Sequence, residues 1–256
     1  MKTVKINVRG VDFDNVTLDE AARFLEENYD NGIQSAVYTP NSEIVQMCIE
    51  NNELYDVINS GELVIPDGIG VVKAANILKT PLKGKVAGVD LGRRVLELAA
   101  RKNIKVFLFG GKDNTRTESG IGVADQCAEV LKKEYAGIDV CGTRDGYCKK
   151  VGEENEETLR LINDSGAEIL FVCLGAPLQE KWIYENRKKL PNVKILMGLG
   201  GSLDVYSGNT KRAPKLFIRL NLEWFYRLLC EPQRIGRMMS LPRFYFGTWK
   251  YKISKK

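Results

Sequence analysis

Five short β-rich runs in this chain are apolar through their middles, and each leads into a turn. They are Ser35-Ala36-Val37-Tyr38-Thr39, Glu62-Leu63-Val64-Ile65, Val106-Phe107-Leu108-Phe109, Ile169-Leu170-Phe171-Val172-Cys173-Leu174 and Lys194-Ile195-Leu196-Met197-Gly198. A strand with one wet face alternates apolar and polar residues, whereas a run apolar on successive residues must be covered on both faces. Helical patterns over about 41–51, 68–78, 116–134 and 178–189 alternate with these runs and supply the cover. The expectation is an α/β fold with a Rossmann-like, mostly parallel sheet and helices on both faces. With 256 residues and 44% apolar content the chain can bury such a core as one large domain.

Sheets of this kind bind ligands in the crevice beyond the carboxyl ends of their strands. The segments that follow the runs are therefore the candidate site: Thr39-Pro40-Asn41, Pro66-Asp67-Gly68, Gly110-Gly111-Lys112, Gly175-Ala176-Pro177-Leu178-Gln179 and Gly200-Gly201-Ser202-Leu203-Asp204. Taken alone, Asp67 reads either as a helix N-cap or as a carboxylate facing the crevice. Thr39 and Asn41 read either as a turn with a cap or as substrate-orienting groups, and Asp90 carries the same two readings. Gly110 and Gly111 form a strand-end turn that lets backbone approach a nucleotide, although neither Gly-x-Gly-x-x-Gly nor a Walker pattern is present. Gln179 and Glu180 open a helix after the Gly175–Pro177 turn, where exposed N–H groups and the helix dipole favour an anion. Asp204, after Gly201, suits a ribose or uracil hydrogen bond.

The chain has no histidine, which excludes His-based triads and most zinc sites. Proton transfer near neutral pH then falls to a carboxylate, Lys, Cys, Tyr or water. Six cysteines (48, 127, 141, 148, 173 and 230) are scattered without metal-ligand spacing and read as reduced thiols of a cytosolic protein. The first residues lack an apolar signal region, and no stretch approaches the ~20 apolar residues of a spanning helix, so export and membrane insertion are not expected. Asp12-Phe13-Asp14 has the D-x-D form used for divalent metals, but it precedes the first body strand and is expected in a surface turn. No metal site and no cofactor are expected.

Charge separates along the chain. Residues 205–256 hold twelve Lys or Arg against two acids, within a chain of net charge +5, so the first 204 residues are net acidic. The same tail contains ten of the 22 aromatic residues. At ~100° per residue, Ala213, Phe217, Leu220, Trp224 and Leu228 share one stripe while Lys211, Lys215, Arg219 and Arg227 lie opposite. That pattern fits a helix lying on an anionic membrane, or one packed on the body or on a sister subunit. No nucleic-acid module accompanies the charge, and no nucleic-acid partner is expected. The expected organisation is a body over 1–206 and a basic, aromatic helical appendage over 207–256.

One ordered set of motifs is more specific. Gly175-Ala176-Pro177-Leu178-Gln179-Glu180-Lys181-Trp182 is followed by Gly198-Leu199-Gly200-Gly201-Ser202-Leu203-Asp204, then by Lys211-Arg212-Ala213-Pro214, Leu222-Glu223-Trp224-Phe225-Tyr226-Arg227-Leu228 and Glu231-Pro232-Gln233-Arg234. In this order the set resembles the WecG/TagA/CpsF glycosyltransferases, over almost the whole chain and most closely in the TagA branch of wall teichoic acid synthesis. The resemblance implies an inverting transfer of N-acetylmannosamine from UDP-N-acetylmannosamine to the 4-hydroxyl of GlcNAc on undecaprenyl diphosphate. It makes Asp67 the general base and gives Thr39 and Asn41 an orienting role, with Gly201 among the substrate-binding candidates. Lys85 stands where the family pattern has Arg, so a point charge replaces a fork toward phosphate. With no metal to stabilise the departing UDP, the tail arginines Arg212, Arg219, Arg227, Arg234 and Arg237 are the available cations. The implied location is peripheral, on the cytoplasmic face of the cell membrane, with homo-oligomerisation left open. Other readings of the same residues are another UDP sugar, such as UDP-ManNAcA or UDP-glucose, and a non-enzymatic nucleotide- or polyanion-binding protein.

Overall fold

The computed structural model describes residues 3–230 and 240–254. A six-stranded sheet runs through the molecule: β3 (Ser35–Tyr38), β4 (Leu63–Val64), β5 (Lys105–Gly110), β6 (Asp139–Arg144), β7 (Ile169–Cys173) and β8 (Ile195–Gly198). Its order is β4-β3-β8-β7-β5-β6, and every pairing is parallel. All five expected runs lie in it, as the α/β expectation required. β5 leads outward to β6 while β7 leads the other way to β8, so the connections diverge between β5 and β7, a place where such folds leave a crevice.

The reason for the unbroken apolar runs is visible in which core each side chain joins. Val37, Leu63, Val106, Leu108, Ile169, Phe171, Ile195 and Met197 belong to one cluster of buried residues. Their neighbours Ala36, Tyr38, Val64, Phe107, Phe109, Leu170, Val172 and Leu196 belong to the other. The period of two divides each run between two dry faces. The first face is covered by α1 (Leu18–Asp30), α5 (Gly88–Lys102), α6 (Val123–Glu134) and α9 (Ser202–Tyr206). The second is covered by α2 (Ser42–Glu50), α3 (Glu53–Asn59), α4 (Ile69–Ile77), α7 (Glu153–Asp164) and α8 (Leu178–Asn186), together with a hairpin of β1 (Lys5–Val8) and β2 (Val11–Asp14).

The structure corrects three expectations. The helix expected from 116 begins at Val123, because Gly120 takes φ 69° and the preceding residues form only a short 3₁₀ turn, Asn114–Arg116. Asp12 and Asp14 lie in β2 rather than in a surface turn. Asp14 is fully buried and accepts from Val64 N at 2.7 Å, from Lys5 Nζ at 3.3 Å and from the Thr3 hydroxyl, so it ties the hairpin to the sheet, while Asp12 accepts from Asn7 Nδ2 at 2.7 Å within the hairpin. The single amphipathic helix expected across 213–228 is two helices, α10 (Lys215–Arg219) and α11 (Glu223–Cys230), because Asn221 turns the chain with φ 57°.

The last helix, α12 (Ser240–Ser254), returns to the body. Phe244 and Thr248 are fully buried, and Phe244 joins the second core cluster. The helix packs on α2 and α4, with the Arg9 guanidinium over the Tyr251 ring at 5.1 Å.

Candidate active site

A small cleft opens at the carboxyl ends of β4, β3 and β8, lined by Asp67, Ala87, Gly88, Val89, Leu199, Gly201, Ser202, Val205 and Glu223. Backbone bonds continue β4 past its last residue: Ile65 N donates to Tyr38 O at 3.0 Å and Asp67 N to Pro40 O at 3.3 Å. That extension carries Asp67 beyond the sheet into the cleft, where it is half-buried. The cap position of α4 belongs to Gly68, whose φ of 113° suits glycine, and not to Asp67. The N-cap reading of Asp67 therefore does not describe the structure.

Thr39 and Asn41 support the cleft from within. The Thr39 hydroxyl donates to Gly198 O at 3.0 Å, tying β3 to β8, and its side chain packs on Gly88, where a Cβ would lie 3.0 Å from Thr39 Cγ2. Asn41 caps α2 by accepting from Ile44 N at 3.0 Å. Both groups position the turn that borders Asp67.

Glu223, which lines the cleft, belongs to a cluster of four charges. Arg212 forks onto Asp90 with Nη1–Oδ1 2.5 Å and Nη2–Oδ2 2.7 Å, a bidentate pair. Lys85 reaches Glu223 at 3.3 Å, and Arg212 Nε lies 3.7 Å from the other Glu223 oxygen. Lys85, Asp90 and Arg212, three candidates read from the sequence, thus meet in one cluster. The fourth member, Glu223, was not among them. It stands in the Leu222–Leu228 motif quoted above, but a motif does not say that an acid will meet a lysine 138 residues away, whereas the cleft lining shows its place directly.

The glycine and glutamine candidates lie toward β7 and β5. Gly110 (φ 135°) and Gly111 (φ 74°) are required by their own surroundings: a Cβ on Gly110 would strike the Cys173 carbonyl, and one on Gly111 would come within 2.8 Å of Val123. Protein atoms occupy the space that a side chain at either position would take. Gly175 (φ 80°) meets nothing within 4 Å, so its turn, which continues through half-buried Pro177, leaves room beside the chain. Gln179 joins the two regions, since its Oε1 accepts from Gly175 N at 3.2 Å and from Gly200 N at 2.8 Å.

Glu180 is fully buried and accepts from Gln179 Nε2 at 2.8 Å, while its other oxygen has no hydrogen-bond partner. Burial pushes its carboxyl up to about 7. Both side chains face inward, and the Gln179 N–H, one of the helix-opening donors read as facing an anion, donates to Gly175 O at 3.0 Å. Asp204 lies half-buried on α9, its carbonyl accepting from Thr210 N, with exposed Gly201 before it. Arg234 and Arg237 lie outside the described residues, as does the side chain of Arg227.

Comparison with known proteins bears on this arrangement. A family model described as the glycosyl transferase WecG/TagA/CpsF family matches residues 6–256. The chain is 35% identical over 250 residues, covering 97% of it and 93% of the relative, to a Bacillus subtilis (strain 168) protein named N-acetylglucosaminyldiphosphoundecaprenol N-acetyl-beta-D-mannosaminyltransferase. Proteins of the same name from Bacillus spizizenii (36% identical; 98% of this chain and 93% of the relative) and Staphylococcus aureus strain MRSA252 (35%; 99% and 93%) are similar to it across the same span.

Proposed function

This chain belongs to the WecG/TagA/CpsF glycosyltransferase family, and from that premise we propose that it moves N-acetylmannosamine from UDP-N-acetylmannosamine to the 4-hydroxyl of GlcNAc on undecaprenyl diphosphate, with inversion. The observation that carries the reading is Asp67, a half-buried carboxylate in a strand-end cleft, with Gly68 and not Asp67 at the N-cap position of the neighbouring helix. In the proposed step the acceptor oxygen bonds to the anomeric carbon and gives its proton to the Asp67 carboxylate. The bond from that carbon to the donor phosphate breaks, and UDP leaves with the electron pair. Attack on the face opposite the leaving group inverts the centre. Lys85 and Arg212 at the rim are the cations available to the departing diphosphate, which supports a reaction without a metal.

The lipid-linked acceptor and the exposed tail fit together. Leu216, Leu220, Trp224, Phe225 and Leu229 are exposed on α10, α11 and their junction, alongside exposed Lys211, Lys215 and Arg219. Apolar residues interleaved with cations suit the surface of an anionic bilayer, where the acceptor's diphosphate sits. Among the described residues no helix is long and apolar enough to cross a membrane.

Asp67→Asn tests the central assignment. Turnover with UDP-N-acetylmannosamine and a short-chain GlcNAc-diphospholipid is expected to fall by ~10²–10⁴, the usual effect of losing a general base, with UDP affinity nearly unchanged. Near-wild-type turnover at neutral pH would remove Asp67 from the role, and a panel of UDP sugars in the same assay identifies the donor.

A further inference from the structure

Glu223 lines the cleft and has no task in the reaction just described. Its position follows from the chain path: the turn at Asn221 ends α10, and Glu223 opens α11 with its carboxylate toward the cleft. The side chain is 14% exposed, and its two oxygens address two cations, Lys85 at 3.3 Å and Arg212 Nε at 3.7 Å. These are the cations that a diphosphate would require. Arg212 supports the point independently. Its Nη atoms are engaged by Asp90, while its buried Nε has no hydrogen-bond partner and meets the Glu223 carboxylate only at 3.7 Å.

We propose that Glu223 is a resident stand-in for a substrate diphosphate, occupying the anion subsite of Lys85 and Arg212 until that diphosphate displaces it and carries the first turn of α11 outward. A carboxylate and a phosphate ask the same of a lysine and an arginine Nε, namely charge-assisted donors, and both cannot be served at once. Glu223 is joined directly to Trp224 and Phe225, both exposed, so the displaced acid moves with the segment that carries the tail's apolar side chains. The identity of the diphosphate, either the UDP donor or the lipid-linked acceptor, rests on the proposed function; the subsite and its occupant rest on the contacts.

Calorimetric titration of the full chain with UDP, uridine and farnesyl diphosphate tests this. Glu223→Gln is expected to tighten UDP or farnesyl diphosphate on the order of tenfold, the factor for a latched form holding about nine-tenths of the molecules. Uridine, which lacks phosphate, should bind unchanged, and Glu223→Asp should stay near wild type. The diphosphate that responds names the source. A folded Glu223→Gln protein that binds both diphosphates no more tightly than wild type overturns the proposal.

Hydrogen exchange in the wild-type chain decides the matter without a variant. The amides of Phe225 and Tyr226, which donate to Leu222 O at 3.0 and 3.1 Å, should exchange faster with a saturating diphosphate. Exchange that is unchanged or slower with both diphosphates counts against displacement. If these shifts occur and no UDP sugar is transferred, the subsite stands and the glycosyl-transfer reading falls; transfer without the shifts has the opposite meaning.

Discussion

Glu180 gives the buried site a pH dependence that its exposed neighbours do not. Its carboxyl sits at about 7 in the folded protein against an ordinary 4.5, so between those values the folded state holds a proton that the unfolded chain has released. Stability therefore falls as pH rises through that window, and this group adds no further change above it. Glu180→Gln should flatten the dependence by up to about 3 kcal/mol between pH 5 and pH 8, read from unfolding curves at the two pH values. Parallel curves for the two proteins would mean that Glu180 does not titrate in this range. With no histidine in the chain, little else changes charge there.

At the scale of elements, α5 is held by two glycines one turn apart. A Cβ on Gly88 would press on Thr39, and one on Gly92 would drive into the Tyr206 hydroxyl, which donates to Val89 O at 2.8 Å. Gly92→Ala should cost ~1–3 kcal/mol through overpacking, measured by urea denaturation, and should lower activity by moving α5 off the cleft wall. An unchanged midpoint with full activity would show that α5 can shift without consequence. This helix also marks how far the sequence could be read. Strands dry on both faces announce themselves as apolar runs, so five of the six strands were legible, while the edge strand β6, mostly half-buried, was not. The approach of α5 to Thr39 and Tyr206 was not, because a glycine in the sequence does not say what fills the space it leaves. The hairpin went unread although Arg9 and Gly10, both at positive φ, form a two-residue turn between alternating strands. Its four-residue strands are too short for a period of two to stand out. Asp67 was legible as a strand-end acid, while Glu180, also an acid beyond a strand end, points into the core. Residue type and spacing do not fix that direction.

At the scale of the whole molecule, the reaction and the basic C-terminal stretch make separate predictions. Because Asp12 and Asp14 are committed to hairpin contacts, activity should survive EDTA without loss, and Mg²⁺ or Mn²⁺ should add nothing; an EDTA-abolished activity restored by either ion would refute metal independence. For the tail, flotation with phosphatidylglycerol-rich vesicles should recover the protein and purely phosphatidylcholine vesicles should not, since each basic residue near the surface contributes ~1 kcal/mol. Joint replacement of Leu216, Leu220 and Trp224 by Ser should reduce flotation. Equal binding to both vesicle types would count against an anionic docking face. Ala213, 5% exposed, and Phe244, fully buried, sit at the two ends of the stretch that carries α10 and α11. The chain is therefore fixed to the body both before α10 and after α11. With both sides confined before any surface is met, the proposed docking has less freedom left to remove than it would for a free arm.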